Sequence, residues 1–473
     1  MDLRFLIILL FFSYTCFPQE METSIHVNTK NSKIGEVSVF LGDLYGNVNI
    51  LSKEKIDSDG NAILNFKIKH TYFAFINFGN SNQVIYIKPG KNYQVSVDYS
   101  KKYLGVIFRG YNSEINNHLE YNKEIFRDYK YNNKEYYNWN VEEFAIAIQK
   151  IDSILTNNQK VFFDTNNVSE EDQKTLRNRL ISDILSTKMN HFVAKYSVLQ
   201  TDKEVPQTLQ NLENLIPFDT NLLQSTCESY LLTLKYYYLI SIKRKLNAYN
   251  LSEITPEFYL KFAFSDIRAY KIPNALKEFM VADLLMGNLI DNVPEKFNEY
   301  YDEFKKDFPN SKYTAVINER FNRFVKMEGS RAGEIIGKNI NNKIIKLSSF
   351  KGKLIYLDFW ATWCGPCVAE LPNSIKLQKK FKNNKDVVFV FISIDQDSKK
   401  WKNYLIKHPE LTGIHINLSE GNIEEVRNLY SIYGIPRYLI IGKDGKILDS
   451  SAERPSSDKI EEDLKSLLSL GTK

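Results

Sequence analysis

The stretch FWATWCGPCVAELP, residues 359–372, carries two of the four cysteines in this chain, Cys364 and Cys367, with two residues between them. Two thiols at that spacing could bind a metal, attach a haem, clip the chain or exchange disulfides. A structural zinc needs four ligands. No second such pair exists, and the six histidines are scattered at positions 26, 70, 118, 191, 408 and 415. Haem attachment needs a histidine directly after the second cysteine, and Val368 stands there. A scaffold stapled by disulfides would use many more cysteines. Thiol–disulfide exchange fits the surroundings. The apolar run KLIYLDFW (353–360) reads as a strand ending at Trp360, and a helix is expected to open near Cys364. That places the first sulfur at a helix N-terminus, where free N–H groups and the dipole stabilise a thiolate. Cys367 falls one turn deeper, and Pro366 suits the first turn, where the helix needs no N–H.

LDFWATWCGPCVAELP resembles the active-site stretch of the thioredoxin superfamily, and within it the exported TlpA/ResA-type thiol–disulfide oxidoreductases. The resemblance covers roughly residues 331–470. It implies a redox-active pair in which Cys364 attacks and Cys367 resolves, with no organic cofactor and no metal. It further implies a proton-relay role for Asp358, six residues before Cys364. Pro436, in YGIPRYL, matches a cis-proline facing the cysteines, with the Ile435 backbone pairing with extended substrate. Glu370 matches an acid found near the site in ResA-type proteins, and Trp363 is expected to cover the sulfur. Each has a plainer alternative: Asp358 a satisfied structural group, Pro436 an ordinary edge proline, Glu370 a solvent-facing side chain, Trp363 a packing residue. Two departures stand out. Arg437 occupies the place where thioredoxins usually carry Thr, so its guanidinium could stabilise the Cys364 thiolate, select acidic substrates or point away. The usual Pro-x-Phe before the first strand is replaced by GEIIGKNI.

Those residues need a frame to hold them. After a linker at 326–337, strand and helix alternate to the end, with a hairpin over 437–450 turning at Asp444-Gly445 and a closing helix over 458–470. This is the expectation of an α/β thioredoxin fold over 331–473. Residues 23–105 are rich in short β-branched and aromatic runs broken by Asp59-Gly60 and Pro89-Gly90, which predicts an N-terminal β-sandwich. Within it IYIKPGKNYQVSVD reads as a hairpin. Residues 111–326 carry helical periodicity with Pro and Asp breaks, a central α-helical region of roughly eight helices. Cys227 lies there, read as a small buried hydrophobe or as a resolving thiol for the C-terminal pair.

At the N-terminus, Arg4 precedes an apolar run from Phe5 to Phe12, too short to span a bilayer but right for a secretory signal over 1–18. Cys16 could carry a lipid anchor. The periplasm or cell envelope of a bacterium is therefore the expected location. A formal net charge of +5 over 473 residues, without a basic groove interleaved with aromatics, gives no argument for a nucleic-acid partner. The expected partners are a disulfide-bearing exported protein as substrate and a membrane dithiol protein as electron donor. The expected activity is reduction of protein disulfides. A disulfide oxidase or isomerase, or an envelope binding protein with a secondary thioredoxin domain, are the alternatives.

Overall fold

The computed structural model describes residues 19–31, 34–42, 48–79, 81–100, 105–132, 139–195, 205, 209, 214–249, 254–289, 296–418, 423–432 and 434–470. The expected export signal over 1–18, with Cys16, lies outside the described residues.

The N-terminal region is sheet-rich. Its strands are β1 (Met21–Lys30), β2 (Glu36–Gly42), β3 (Val48–Lys55), β4 (Asn61–Ile68), β5 (Tyr72–Asn77), β6 (Asn82–Ile87), β7 (Asn92–Asp98) and β8 (Gly105–Gly110). They form two four-stranded sheets, ordered β4-β1-β7-β8 and β3-β2-β5-β6. On β4 the alternation is complete, with Ala62, Leu64, Phe66 and Ile68 buried and their neighbours exposed, as a sheet wet on one face requires. Those residues join Val37, Val39 and Ile76 of the other sheet in one apolar cluster. Gly60 turns the chain into β4 at φ 84°, and an added Cβ there would stand 2.3 Å from the Thr29 carbonyl oxygen.

The expected hairpin over IYIKPGKNYQVSVD does not form. Among the described residues β6 pairs only with β5, whereas β7 pairs with β1 and β8, so the Pro89-Gly90 turn carries the chain from one sheet to the other. The turn is held from within, since the Lys88 N–H donates to the Tyr93 hydroxyl at 2.7 Å. Helix α1 (Ser113–Asn132) then closes both sheets. Asn116 accepts from Tyr86 N at 2.7 Å and donates to Tyr86 O at 3.3 Å, while Asn117 does the same to Phe108 at 2.9 Å each way. Tyr86 and Phe108 lie on β6 and β8, the open edges of the two sheets, so two adjacent amides satisfy backbone groups that would otherwise be left unpaired.

The helical middle continues through α2 (Val141–Thr165), α3 (Glu170–Lys195), α4 (Thr220–Gln224), α5 (Glu228–Leu246), α6 (Pro256–Ala269), α7 (Asn274–Leu284), α8 (Phe297–Asp307) and α9 (Thr314–Met327). No helix among the described residues is long and apolar enough to cross a membrane. By compactness the chain divides into two units, and the division falls inside this helical stretch. Residues 1–134, 153–177 and 221–228 form one, and 135–152, 178–220 and 229–473 the other. Cys227 is fully buried and takes no part in a disulfide.

The C-terminal domain is α/β. Its strands are β9 (Ile336–Lys338), β10 (Ile344–Lys346), β11 (Leu354–Trp360), β12 (Val387–Ser393), β13 (Ile414–Asn417), β14 (Arg437–Ile441) and β15 (Ile447–Asp449). Its helices are α10 (Gly365–Lys380), α11 (Ser398–Lys407), α12 (Ile423–Leu429) and α13 (Ile460–Leu470). One seven-stranded sheet runs β10-β9-β13-β12-β11-β14-β15, with β11 parallel to β12 and antiparallel to β14. Every residue of β11 is buried, which is why its sequence, Asp358 excepted, is a near-continuous apolar run rather than alternating. Leu354, Tyr356 and Trp360 pack on one face with the two cysteines, and Ile355, Leu357 and Phe359 on the other. The segment read as a linker is docked rather than free. Met327 and Ile335 are in the second core, Gly329 N donates to Ile447 O at 2.8 Å, and Glu328 accepts from Ser450 N at 2.8 Å and Oγ at 2.7 Å.

Candidate active site

Cys364 caps the N-terminus of α10, and Cys367 N donates to its Sγ at 3.2 Å. The two sulfurs are joined in a disulfide, with 5.2 Å between the Cα atoms. Pro366 lies in the first turn of the helix, where its missing N–H costs nothing. Cys367 is 2% exposed and Cys364 6%, so both residues of the pair are buried. Opposite it, the Ile435–Pro436 peptide is cis, and the Ile435 carbonyl oxygen is 3.6 Å from Cys364 Sγ. Trp363, directly before Cys364, is 62% exposed.

Asp358 sits in the middle of β11, and its parity puts it on the face that carries the cysteines. It is 2% exposed, and its Oδ1 has no hydrogen-bond partner among the described residues. Burial, then the negative charge of Glu370, hold its carboxyl well above the usual carboxylate range. Glu370, one helical turn beyond Cys367 on α10, is buried and not solvent-facing. Its Oε1 accepts from Ser456 Oγ at 2.8 Å and its Oε2 from Ser456 N at 3.1 Å. Tyr356 and Tyr438 stack at 5.6 Å on the same face, and burial pushes both phenols up.

Thus Cys364, Cys367, Asp358, Glu370, Ile435 and Pro436 come together on one side of the sheet. Arg437 does not join them. Pairing opposite Phe359 sends its side chain through the other face, where the guanidinium lies 5.7 Å from the Phe324 ring of α9 and donates to Ser451 Oγ at 3.1 Å. Pleat alternation is the reason it leaves the cysteine face.

Asp395, in the turn between β12 and α11, went unnoticed in the sequence. It is buried and accepts from Thr362 N at 2.9 Å, Thr362 Oγ1 at 2.7 Å and Ser393 Oγ at 2.8 Å. Asn417 Nδ2 closes the same knot on the Asp395 carbonyl and on Ser393 Oγ. The loop that presents Trp363 and Cys364 is tied to β12 and β13 through this carboxylate. The only local signal is an acid directly after an apolar strand, a pattern shared by many turns. Among the described residues no group of three His, Cys, Asp or Glu could hold a metal ion.

A disulfide between the cap and first turn of a helix, just after strand β11 of a mixed sheet and facing a cis-proline, defines a thioredoxin-like thiol–disulfide oxidoreductase. Residues 352–447 match the family model of thioredoxin-like domains. The ResA thiol–disulfide oxidoreductase of Bacillus cereus is 31% identical over 148 residues, which are 31% of this chain and 83% of that protein. ResA of Bacillus subtilis is 29% identical over 121 residues, 26% of this chain and 65% of the relative. A solved thiol–disulfide oxidoreductase from Bacteroides fragilis is 26% identical, with a TM-score of 0.26, over 29% of this chain and 99% of that one. Through its C-terminal domain the chain belongs to the ResA-type thiol–disulfide oxidoreductases.

Proposed function

We propose that this oxidoreductase is exported and works as a reductant of protein disulfides. The observation that carries the reading is the placing of Cys364 Sγ beside the Ile435 carbonyl, with Cys367 and the buried Asp358 behind it. Cys364, as thiolate at the helix N-terminus, attacks one sulfur of a substrate disulfide and expels the other as a thiolate. Cys367 gives its proton to Asp358 and attacks Cys364 Sγ, which releases the second substrate thiolate and leaves the enzyme disulfide. Extended substrate lies along the Ile435 backbone. Gly365-Pro366 between the cysteines is similar to reducing thioredoxins. Electrons return from a membrane dithiol protein at the cell envelope, and the cysteine pair itself carries them, without an organic cofactor. The N-terminal sheets, read as a sandwich, and the helical region serve to hold the substrate or donor.

The test is the reduction potential of the Cys364–Cys367 pair in the full chain, equilibrated in graded dithiol buffers with the trapped thiols read by mass. A value near thioredoxin's, about −270 mV, is expected. A value near that of strong oxidants, about −120 mV, would make the protein a disulfide donor.

A further inference from the structure

The short segment that faces Cys364 is held at its ends and not in its middle. Among the described residues, no backbone group of Gly434, Ile435 or Pro436 is hydrogen-bonded to another backbone group, and the Ile435 carbonyl meets only Cys364 Sγ. A Cβ built on Gly434 would touch nothing within 4 Å, so packing does not steady the segment there. On the N-terminal side, Ile432 is tied to Arg427 twice: its N–H donates to the Arg427 carbonyl at 2.7 Å, and its carbonyl accepts from Arg427 Nε at 3.2 Å. On the C-terminal side, the first residue fixed in the sheet is Arg437, which opens β14 opposite Phe359.

Arg437 is gripped from the side by more than strand pairing. It is 8% exposed, its guanidinium lies 5.7 Å from the Phe324 ring of α9, and it donates to Ser451 Oγ at 3.1 Å. Ser451 N in turn donates to Asp449 Oδ1 at 2.8 Å, and the positive charge of Arg437 is felt at that acid. The neighbouring Ser450 gives its N–H and hydroxyl to Glu328, four residues after Phe324 and just past the end of α9. The contacts therefore close a ring from α9 through Ser450, Ser451 and Arg437 back to α9. Burying a guanidinium is costly, and strand pairing alone does not require one. What the arginine adds is a lateral tie from α9 to the residue next to Pro436.

We propose that Arg437 is a positioning residue for substrate binding, and that α9, through Phe324, is the anchor from which it acts. This rests on the reading above that extended substrate lies along the Ile435 backbone. The ring of Pro436 fixes its own φ, so little slack separates Arg437 from Ile435. A planar guanidinium against an aromatic face holds its place along the strand better than an aliphatic side chain would. Held there, Arg437 sets the direction in which the Ile435 N–H and carbonyl meet an incoming chain. Its own contacts are on the far face of the sheet from both sulfurs, so the effect falls on substrate affinity and not on the chemistry of the cysteine pair. The last helix of the middle region is thereby part of the substrate-binding machinery.

The experiment uses the full chain with Cys16→Ser and Cys367→Ser, and an extended peptide whose cysteine is joined by a disulfide to thionitrobenzoate. The Cys364 thiolate attacks the peptide sulfur, the new disulfide stays trapped, and thionitrobenzoate leaves with the electron pair as a coloured thiolate. Phe324→Leu is expected to raise the half-saturating peptide concentration about three- to tenfold, the scale of a cation on an aromatic ring. The limiting rate, and the rate on the small mixed disulfide of cysteamine and thionitrobenzoate, should stay as in the parent. Arg437→Met should do the same, and Phe324→Tyr, which keeps the ring, should restore the parent value. Combining Phe324→Leu with Arg437→Met should add nothing further, because both act through one contact. Half-saturation unchanged in Phe324→Leu would overturn the proposal, as would a slowed cysteamine control, additive effects in the double variant, or a Tyr variant as impaired as the Leu one. Where Arg437→Met does not fold, the Leu and Tyr variants at Phe324 decide alone. The single attack runs alike for a reductant or an oxidant, so the reduction potential of the pair tests the reductase reading separately.

Discussion

Asp358 is a carboxyl on a strand whose seven residues are all buried. Its folded-state pKa is raised above the unfolded value, so between the two the folded chain binds the proton that the unfolded chain has released. The stability tied to that proton is complete below the unfolded carboxyl range and is lost as pH rises through the folded value. Asp358→Asn removes the charge without changing the shape. The variant is therefore expected to be more stable than wild type by about 1–3 kcal/mol at pH 9, with the gain vanishing at pH 4. Urea unfolding of the oxidised proteins at both values measures it. If Asp358 is the proposed relay, the same variant should slow the resolving step.

This residue was legible in the sequence because an acid stands out inside the apolar run LIYLDFW. Arg437 was legible only as an oddity. Its destination depends on which face of β14 meets α9, and Phe324 lies far from it along the chain. Asp395 left no mark, because its three donors come from two separate segments.

At the scale of elements, α1 gathers the polar groups that close the N-terminal sheets. Besides Asn116 and Asn117 it carries His118, which stacks on Phe162 of α2 at 4.2 Å. Burial pushes His118 down to about 4. The unfolded chain therefore takes up a proton on His118 near pH 6.5 that the folded chain takes only near 4. Stability should fall as pH drops across that window, by about 1–3 kcal/mol once partial solvent screening is allowed for. His118→Gln is expected to flatten this slope, as followed by urea midpoints of the N-terminal sheets between pH 7 and 4.5. The strands themselves were readable from alternation. Their pairing was not, because Pro89-Gly90 permits either a hairpin or a crossing between sheets, and what decides is that β7 lies between β1 and β8. The helices were readable as a class from their period. Their division between two compact units follows from long-range packing that no local window contains.

For the molecule as a whole, the thioredoxin-like domain continues into α9 rather than beginning after a linker. Met327, the Glu328–Ser450 hydrogen bonds and the Phe324–Arg437 contact all lie before or across residue 331. A fragment of residues 331–473 would leave the Ser450 donors and the Arg437 face open. It is expected to unfold some 2–4 kcal/mol more easily than a fragment of residues 314–473, the scale of two lost hydrogen bonds to a charged acceptor plus the contact of an aromatic with a cation. Thermal unfolding of the two fragments compares them. If both are equally stable, the docking seen at α9 contributes nothing.

Arg437 is the immediate chain neighbour of Pro436 and pairs one residue from the strand position opposite Asp358. In a flat, unpleated ribbon its positive charge would sit on the cysteine face and draw Asp358 into the anionic form. The sheet itself is the insulator. A dry layer one backbone thick separates cation from acid, and that separation is only as secure as the register of β14 against β11. A slip of a single residue would short the two together.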